Sequence, residues 1–252
     1  MDLQLSGKRA VVTGASRGIG KAIARQLARE GVDLVIAARG LDALTATAEA
    51  LACESGRRIR PVAVDTGQDD SVAALIAVAV EELGGIDILV NNAATPGGAA
   101  PAARLAEVST EALLADVNVK VGGYLRAARA AAPHLTASGW GRIVNIGGLA
   151  ARTTGHYVAS IRNVGVSALT KNLADELGPQ GVTVNAVHPG ATRTEKTTAD
   201  AASRAGQAVT IGRIVESEEI AFLTAVLASP LSAALNGQNL QAGGGALRVI
   251  DY

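Results

Sequence analysis

The sequence is poor in residues that staple or decorate small extracellular domains. Its 252 positions contain one cysteine, and the aromatics are confined to Phe222, Trp140, Tyr124, Tyr157 and Tyr252. Cys53 has no second thiol for an internal disulfide, and with three scattered histidines it lacks the ligand spacing of a usual zinc site. No metal is expected, and a reducing compartment fits. Charge of one sign is missing too: Lys plus Arg number 23 and Asp plus Glu 23, so no excess draws the chain to nucleic acid or an anionic membrane surface. No apolar run approaches the ~20 residues that span a bilayer, and the opening MDLQLSGKRAVVTG has none of the basic, apolar and cleavage regions of a secretory signal. The expectation is a cytoplasmic protein with neither nucleic acid nor membrane as partner.

Small aliphatic residues are abundant. Hydrophobic positions make up 48% of the chain, and a domain of this length buries roughly 70–75% of its unfolded surface, so a core of Ala, Val, Leu and Ile is easily supplied. No linker or composition shift divides it, and residues 1–252 read as one domain. Short Val- and Ile-rich runs alternate with longer Ala-rich amphipathic stretches, the pattern of βαβ units. Strands are expected at 9–13, 33–37, 60–64, 86–91, 142–146, 183–187 and 239–241. Helices are expected at 18–30, 41–54, 69–83, 110–135, 157–177 and 216–228, with Ser109 capping the fourth. Right-handed crossovers then give an α/β, Rossmann-like doubly wound fold, a mostly parallel seven-stranded sheet with helices on both faces. Residues 96–101 read as a loop, and the polar, Ala-rich stretch 192–210 as a segment able to move over a site.

Thr13-Gly14-Ala15-Ser16-Arg17-Gly18-Ile19-Gly20 closes the first strand and opens the first helix. At such a turn backbone N–H groups and the positive end of the helix dipole receive a pyrophosphate, and glycine permits its close approach. In a first βαβ unit this points to a dinucleotide; a purely structural turn is the alternative. An NAD site carries an acidic residue about 20 positions on, for the ribose 2′-OH, whereas this chain has Ala38 and Arg39. Arg39, with Arg17 in the loop, suits bidentate recognition of a 2′-phosphate, so NADP(H) is expected over NAD(H). A solvated cation is the alternative for Arg39, and Asp42 reads as a helix cap.

The glycine loop is followed in order by Asp65, Asn91-Asn92-Ala93-Ala94, Asn118, Tyr157 and Pro189-Gly190, then Gly212-Arg213, Glu218-Glu219-Ile220-Ala221, Gly237-Gln238 and Gly243-Gly244. In this series the chain resembles a short-chain dehydrogenase/reductase over essentially its whole length, with Ala94 where that family usually has glycine. The resemblance implies cofactor contacts from Gly14, Ser16, Arg17, Gly18, Ile19, Gly20, Arg39, Asp65, Thr66, Asn91, Ala93, Pro189, Gly190, Thr192 and Thr194. Asp65 would meet the adenine amine, Asn91 and Ala93 the adenosine ribose, and Thr194 the nicotinamide carboxamide. Structural alternatives are a strand end for Asp65, a turn for the Asn pair and a helix cap for Thr194. The resemblance also implies hydride transfer between a nicotinamide and a small-molecule carbonyl or alcohol, with Tyr157 exchanging the proton and Asn118 anchoring a water or the local helix bend. It implies a homo-oligomer, tetramer or dimer, with 237–245 at the contact.

The pattern breaks where the chemistry should be. The family's serine would follow Asn145-Ile146-Gly147, and this chain has Gly148; its lysine, four residues after Tyr157 and so on the same helical face, is Ile161. The 148–157 stretch is also short, which leaves Thr153, Thr154 or His156 as possible substitutes, and Arg162, the nearest cation to Ile161, reads as a surface ion pair or as a stand-in for the lysine. A tyrosine acting as base near pH 7 needs its pKa lowered by ~3 units, about 4 kcal/mol, which one cation ~4 Å away supplies at an effective dielectric near 20. Without that lysine a neutral Tyr157 still donates, so the expected activity is NADPH-dependent carbonyl reduction. Two other readings stay open: a nucleotide-binding sensor or assembly subunit without turnover, and an enzyme whose acid comes from elsewhere. Substrate identity is assigned to the 95–104 and 195–211 loops. His188 reads as a strand-end structural residue.

Overall fold

The computed structural model describes residues 2–95 and 104–247. The 96–101 loop and Tyr252 therefore lie outside the described residues. Seven parallel strands form the main sheet: β1 (Arg9–Thr13), β2 (Asp33–Ala38), β3 (Ile59–Ala63), β4 (Ile88–Asn91), β5 (Gly141–Ile146), β6 (Val182–Pro189) and β9 (Asn239–Ala242), in the order β3-β2-β1-β4-β5-β6-β9. β7 (Thr192–Arg193) and β8 (Val215–Glu216) pair separately. The helices are α1 (Gly18–Arg29), α2 (Leu41–Ser55), α3 (Asp69–Leu83), α4 (Thr110–Val117), α5 (Gly123–Thr136), α6 (Tyr157–Leu177), α7 (Ala199–Gln207) and α8 (Ser217–Ala228).

Each strand reads as an unbroken apolar run because both faces of the sheet are covered. The two-residue period of a strand then divides its side chains between two cores. Ala10, Val12, Leu34, Ile36, Ile88, Val90 and Val144 pack with α1, α2 and α8. Val11, Val35, Leu89, Ile143, Val182 and Val184 pack with α3, α5 and α6. Winding reverses beside β1, which pairs with β2 on one side and β4 on the other. In open α/β sheets the crevice beyond such a reversal, at the carboxyl ends of the strands, is where ligands bind. No described helix is long and apolar enough to cross a membrane.

Two expectations need correction. The helix expected at 110–135 is interrupted: after α4, with Ser109 Oγ accepting from Ala112 N–H at 3.0 Å, residues Asn118–Gly122 form a wide π-helical turn before α5. Such a turn carries an extra residue and re-aims its side chains. Here it buries Lys120 and exposes Asn118. Gly123 allows α5 to close on the chain after β3, since a Cβ there would lie 2.8 Å from Thr66 Cβ. The stretch 192–210 is not all loop either. It contains α7, capped by Thr198 Oγ1 accepting from Ala201 N–H at 3.2 Å.

Candidate active site

The glycine loop is fastened from two sides. Gly14 and Ala15 N–H donate to Ala37 O at 2.7 and 3.2 Å, so the loop lies against the end of β2, and Arg17 and Arg39 stand exposed beyond the ends of adjacent strands. Asn92 Nδ2 donates to Thr13 O at 3.1 Å and Gly14 O at 3.0 Å, while Thr13 Oγ1 accepts from the N–H groups of Asn92 (3.0 Å) and Ala93 (3.2 Å). Gly14 has φ +68°, and a Cβ on it would lie 2.9 Å from Ala93 Cα; one on Gly20 would overlap Gly14 O. Thr47 Oγ1 donates to Ser16 O at 3.2 Å, and Ile19 packs on the core beneath.

An anion already sits at this turn. Gly18 N–H, the first of α1, donates to the Glu195 carboxylate at 2.9 and 3.2 Å, and the first turn of α1 has no acidic residue of its own. An amide at the positive end of a helix that attracts a carboxylate has the chemistry to attract a diphosphate, so the residues fit a dinucleotide. Thr194 also leans over the loop, its Cγ2 3.2 Å from where a Cβ of Gly18 would be. Thr192 Oγ1 donates to Gly190 O at 3.0 Å, shaping the approach of this segment.

Not every residue inherited from the resemblance faces the crevice. Asp65 is exposed there, with one oxygen accepting from Gly67 N–H at 2.9 Å. Thr66 is buried, and its hydroxyl donates to Val119 O at 3.1 Å. Asn91 is buried and donates to Asn145 Oδ1 at 3.0 Å, and Pro189 is buried at the end of β6. These three support the crevice from below. Asn92, absent from the inherited set, makes the contacts that hold β4 to the glycine loop.

The proton-handling pair is where structure and sequence reading part. Along α6 the buried positions are Asn163, Val166, Thr170, Leu173, Ala174 and Leu177, and one turn further back that stripe reaches Ala159. At 100° per residue Tyr157 lies opposite, on the exposed stripe of Ile161 and Val164. It is 47% exposed, and its hydroxyl makes no hydrogen bond among the described residues. The positions that α6 presents inward, four apart, are Ala159 and Asn163 rather than Tyr157 and Ile161. Asn118 turns away as well: its Nδ2 donates to Gly67 O at 3.2 Å and its Oδ1 accepts from Arg126 Nη2 at 2.7 Å. Among the described residues no hydrogen bond joins Tyr157 to Asn118.

At the end of β5 stands a different set. Lys120 Nζ donates to Gly147 O at 2.9 Å and to Asn163 Oδ1 at 3.0 Å, and Asn163 Nδ2 donates to Ala159 O at 2.9 Å. Burial pushes Lys120 down to about 7, helped by the Arg162 guanidinium and opposed by the Asp116 carboxylate. Arg162 is not a surface cation: its Nη1 donates to both Asp116 oxygens at 2.9 Å, with both side chains nearly buried. His188 is buried between Gly148, Ser167 and Asn239, with Nδ1 3.1 Å from Gly148 N and Nε2 2.9 Å from Asn239 Oδ1. Desolvation lowers its pKa, partly offset by its hydrogen bonds to Asn239 and Gly148. Glycine is required beside it, because a Cβ on Gly147 would overlap the imidazole. Thr153, Thr154 and His156 are exposed and are not drawn into this cluster.

Residues 14–246 match the family model described as Enoyl-(Acyl carrier protein) reductase. A short-chain reductase protein, NovJ, of Streptomyces niveus is 36% identical over 247 residues, covering 94% of this chain and 92% of that protein. The solved structure of L-sorbose reductase from Gluconobacter frateurii, complexed with NADPH and L-sorbose, superposes with TM-score 0.93 at 30% identity, covering 99% of this chain and 100% of the other. A short chain dehydrogenase from Burkholderia cenocepacia in complex with NADP superposes with TM-score 0.87 at 35% identity, covering 96% and 99%.

Proposed function

The chain belongs to the short-chain dehydrogenase/reductase family of NAD(P)-dependent oxidoreductases, and on that premise we propose that it works as a single domain reducing a small-molecule carbonyl to an alcohol with NADPH. The observation that carries this reading is the chain's own Glu195 carboxylate accepting from Gly18 N–H at the start of α1, beside the reversal in strand order. When bound, NADPH would supply the hydride.

The chain's own residues divide the remaining work. Amides of the glycine loop and the α1 dipole hold the diphosphate, and Asn92 keeps the loop closed on β4. Arg17 and Arg39 supply two exposed cations where an NAD site would place a carboxylate, which favours a 2′-phosphate. Asp65 is left to meet the adenine, and Gly190, Thr192 and Thr194 to cover the nicotinamide end. The relatives that were solved with NADP or NADPH support the same preference. A homo-oligomer is part of the proposal, because Leu114, Leu125, Tyr157, Ile161 and Val164 leave apolar surface exposed on α4, α5 and α6. That stripe gives Tyr157 a place in a subunit contact rather than in proton transfer.

The test is NADPH oxidation, followed by loss of nicotinamide absorbance, across a panel of ketoses, β-keto thioesters and simple ketones. Turnover with at least one class is expected. Tight NADPH binding with no turnover on any would favour the sensor reading instead.

A further inference from the structure

Lys120 is the only buried lysine among the described residues, and its surroundings are unusual for a cation. Both of its hydrogen-bond partners, Gly147 O and Asn163 Oδ1, are neutral acceptors. Asp116, the carboxylate that acts on its charge, has both oxygens engaged by Arg162. A neutral amine has two N–H groups, which these two acceptors satisfy; an ammonium has a third. The site is therefore complete for the amine and has one proton over for the ammonium.

The neighbouring residues are fitted to this arrangement. A Cβ on Gly148 would come 3.0 Å from Asn163 Nδ2, so a side chain there needs the Asn163 amide to give by a few tenths of an ångström. The π-helical turn at Asn118–Gly122 is what carries Lys120 inward. The cluster lies at the carboxyl end of β5, on the edge where open α/β sheets receive their ligands, and Gly147 and Gly148 leave that edge without side chains.

We propose that Lys120 is the catalytic acid of this protein, donating its third N–H to the oxygen of the carbonyl substrate while Asn163 and Gly147 O hold the amine in place. The proposal rests on the reductase reading. The bond that forms is O–H on the substrate oxygen and the bond that breaks is Nζ–H. The hydride that reduces the carbon comes from reduced pyridine nucleotide, and the neutral amine recovers its proton from water.

Because the ammonium is the working form, reduction should fall as pH rises through about 7, the value to which burial lowers Lys120. The charged and titratable groups around it are Arg162 and Asp116, His188, whose titration Lys120 and Arg152 both lower, and Tyr124, whose hydroxyl donates to Ile146 O at 2.9 Å beside Gly147. The experiment compares wild type with Lys120→Met, Asn163→Asp and Tyr157→Phe. It reads kcat/KM against pH with the best ketone of the panel, together with lysine ¹⁵Nζ NMR titration of the nucleotide-free protein. The expectation is a loss of ~10²–10⁴ in kcat/KM for Lys120→Met with NADPH affinity retained. Asn163→Asp, by adding a negative partner, should move both the NMR titration and the falling limb of the rate profile to higher pH. Tyr157→Phe should act within about twofold of wild type, far short of the ~10²-fold minimum expected of a lost catalytic acid. Two results would overturn the assignment and leave the reductase reading standing: Lys120→Met as active as wild type, or an Asn163→Asp titration that moves without the rate profile following. A wild type that reduces no carbonyl would overturn both.

Discussion

Lys120→Met should change how stability depends on pH, whether or not any substrate is known. The side chain is 4% exposed and its pKa is about 7 in the folded protein, against ~10.4 in an unfolded chain. Between these values the unfolded chain holds a proton that the folded one has released, so the free energy of unfolding rises with pH. The slope reaches at most ~1.4 kcal/mol per pH unit, and integrating the two titration curves from pH 7.0 to 9.5 gives about 3 kcal/mol. Methionine fills similar volume and removes that term, at a pH-independent cost of about 1–3 kcal/mol for each of the unpaired acceptors Gly147 O and Asn163 Oδ1. Urea unfolding of both proteins at pH 7.0 and 9.5 isolates the effect, because every other titrating group cancels in the difference. The wild type should gain about 3 kcal/mol relative to the variant over this interval. Parallel pH dependences would refute the reasoning and place the lysine in water.

Glu195→Gln should tighten NADPH binding, since the exposed carboxylate now held by Gly18 N–H must leave before a diphosphate can use that amide. An anion at an exposed helix start is worth about 0.3–1 kcal/mol, which corresponds to up to ~5-fold in Kd by calorimetry; weaker binding would show that Glu195 does not compete. Gly148→Ser returns the hydroxyl usual in the family, yet it should lower both stability and turnover, because its Cβ would sit 3.0 Å from Asn163 Nδ2. Overpacking of this kind costs about 1–3 kcal/mol, a fall of roughly 2–12 °C in Tm for a chain of this size. Unchanged Tm with higher activity would contradict that account.

Sheet, winding and the glycine turn after the first strand were legible because each depends on a local pattern. Buried parallel strands need unbroken apolar runs, and the strand at Arg9–Thr13 and the helices at Asp69–Leu83 and Tyr157–Leu177 fall where the pattern places them. The departures have physical causes. A π-helical turn adds one residue without any signal in the apolar spacing, and it separates buried Lys120 from exposed Asn118. Tyr157 has the residue type the chemistry asks for, but its face of α6 is the exposed one, which residue type does not record. Extending the inward period of α6 back from Val166 and Thr170 leads to Asn163 and Ala159, a signal present in the sequence. Asn163, His188 and Glu195 belong to contacts between segments far apart in the chain, such as Glu195 with Gly18, and no local pattern records those. Helix α7 was hidden by its polar composition, although Thr198 before an Ala-rich run is a start signal.

Calorimetric titration of the purified protein with NADPH and, separately, with NADH tests the central claim most directly. The account predicts a single site with NADPH bound at least ~10-fold more tightly, a difference of about 1.4 kcal/mol that two cations facing a 2′-phosphate readily supply. Absence of heat with both nucleotides, or tighter binding of NADH, would contradict it.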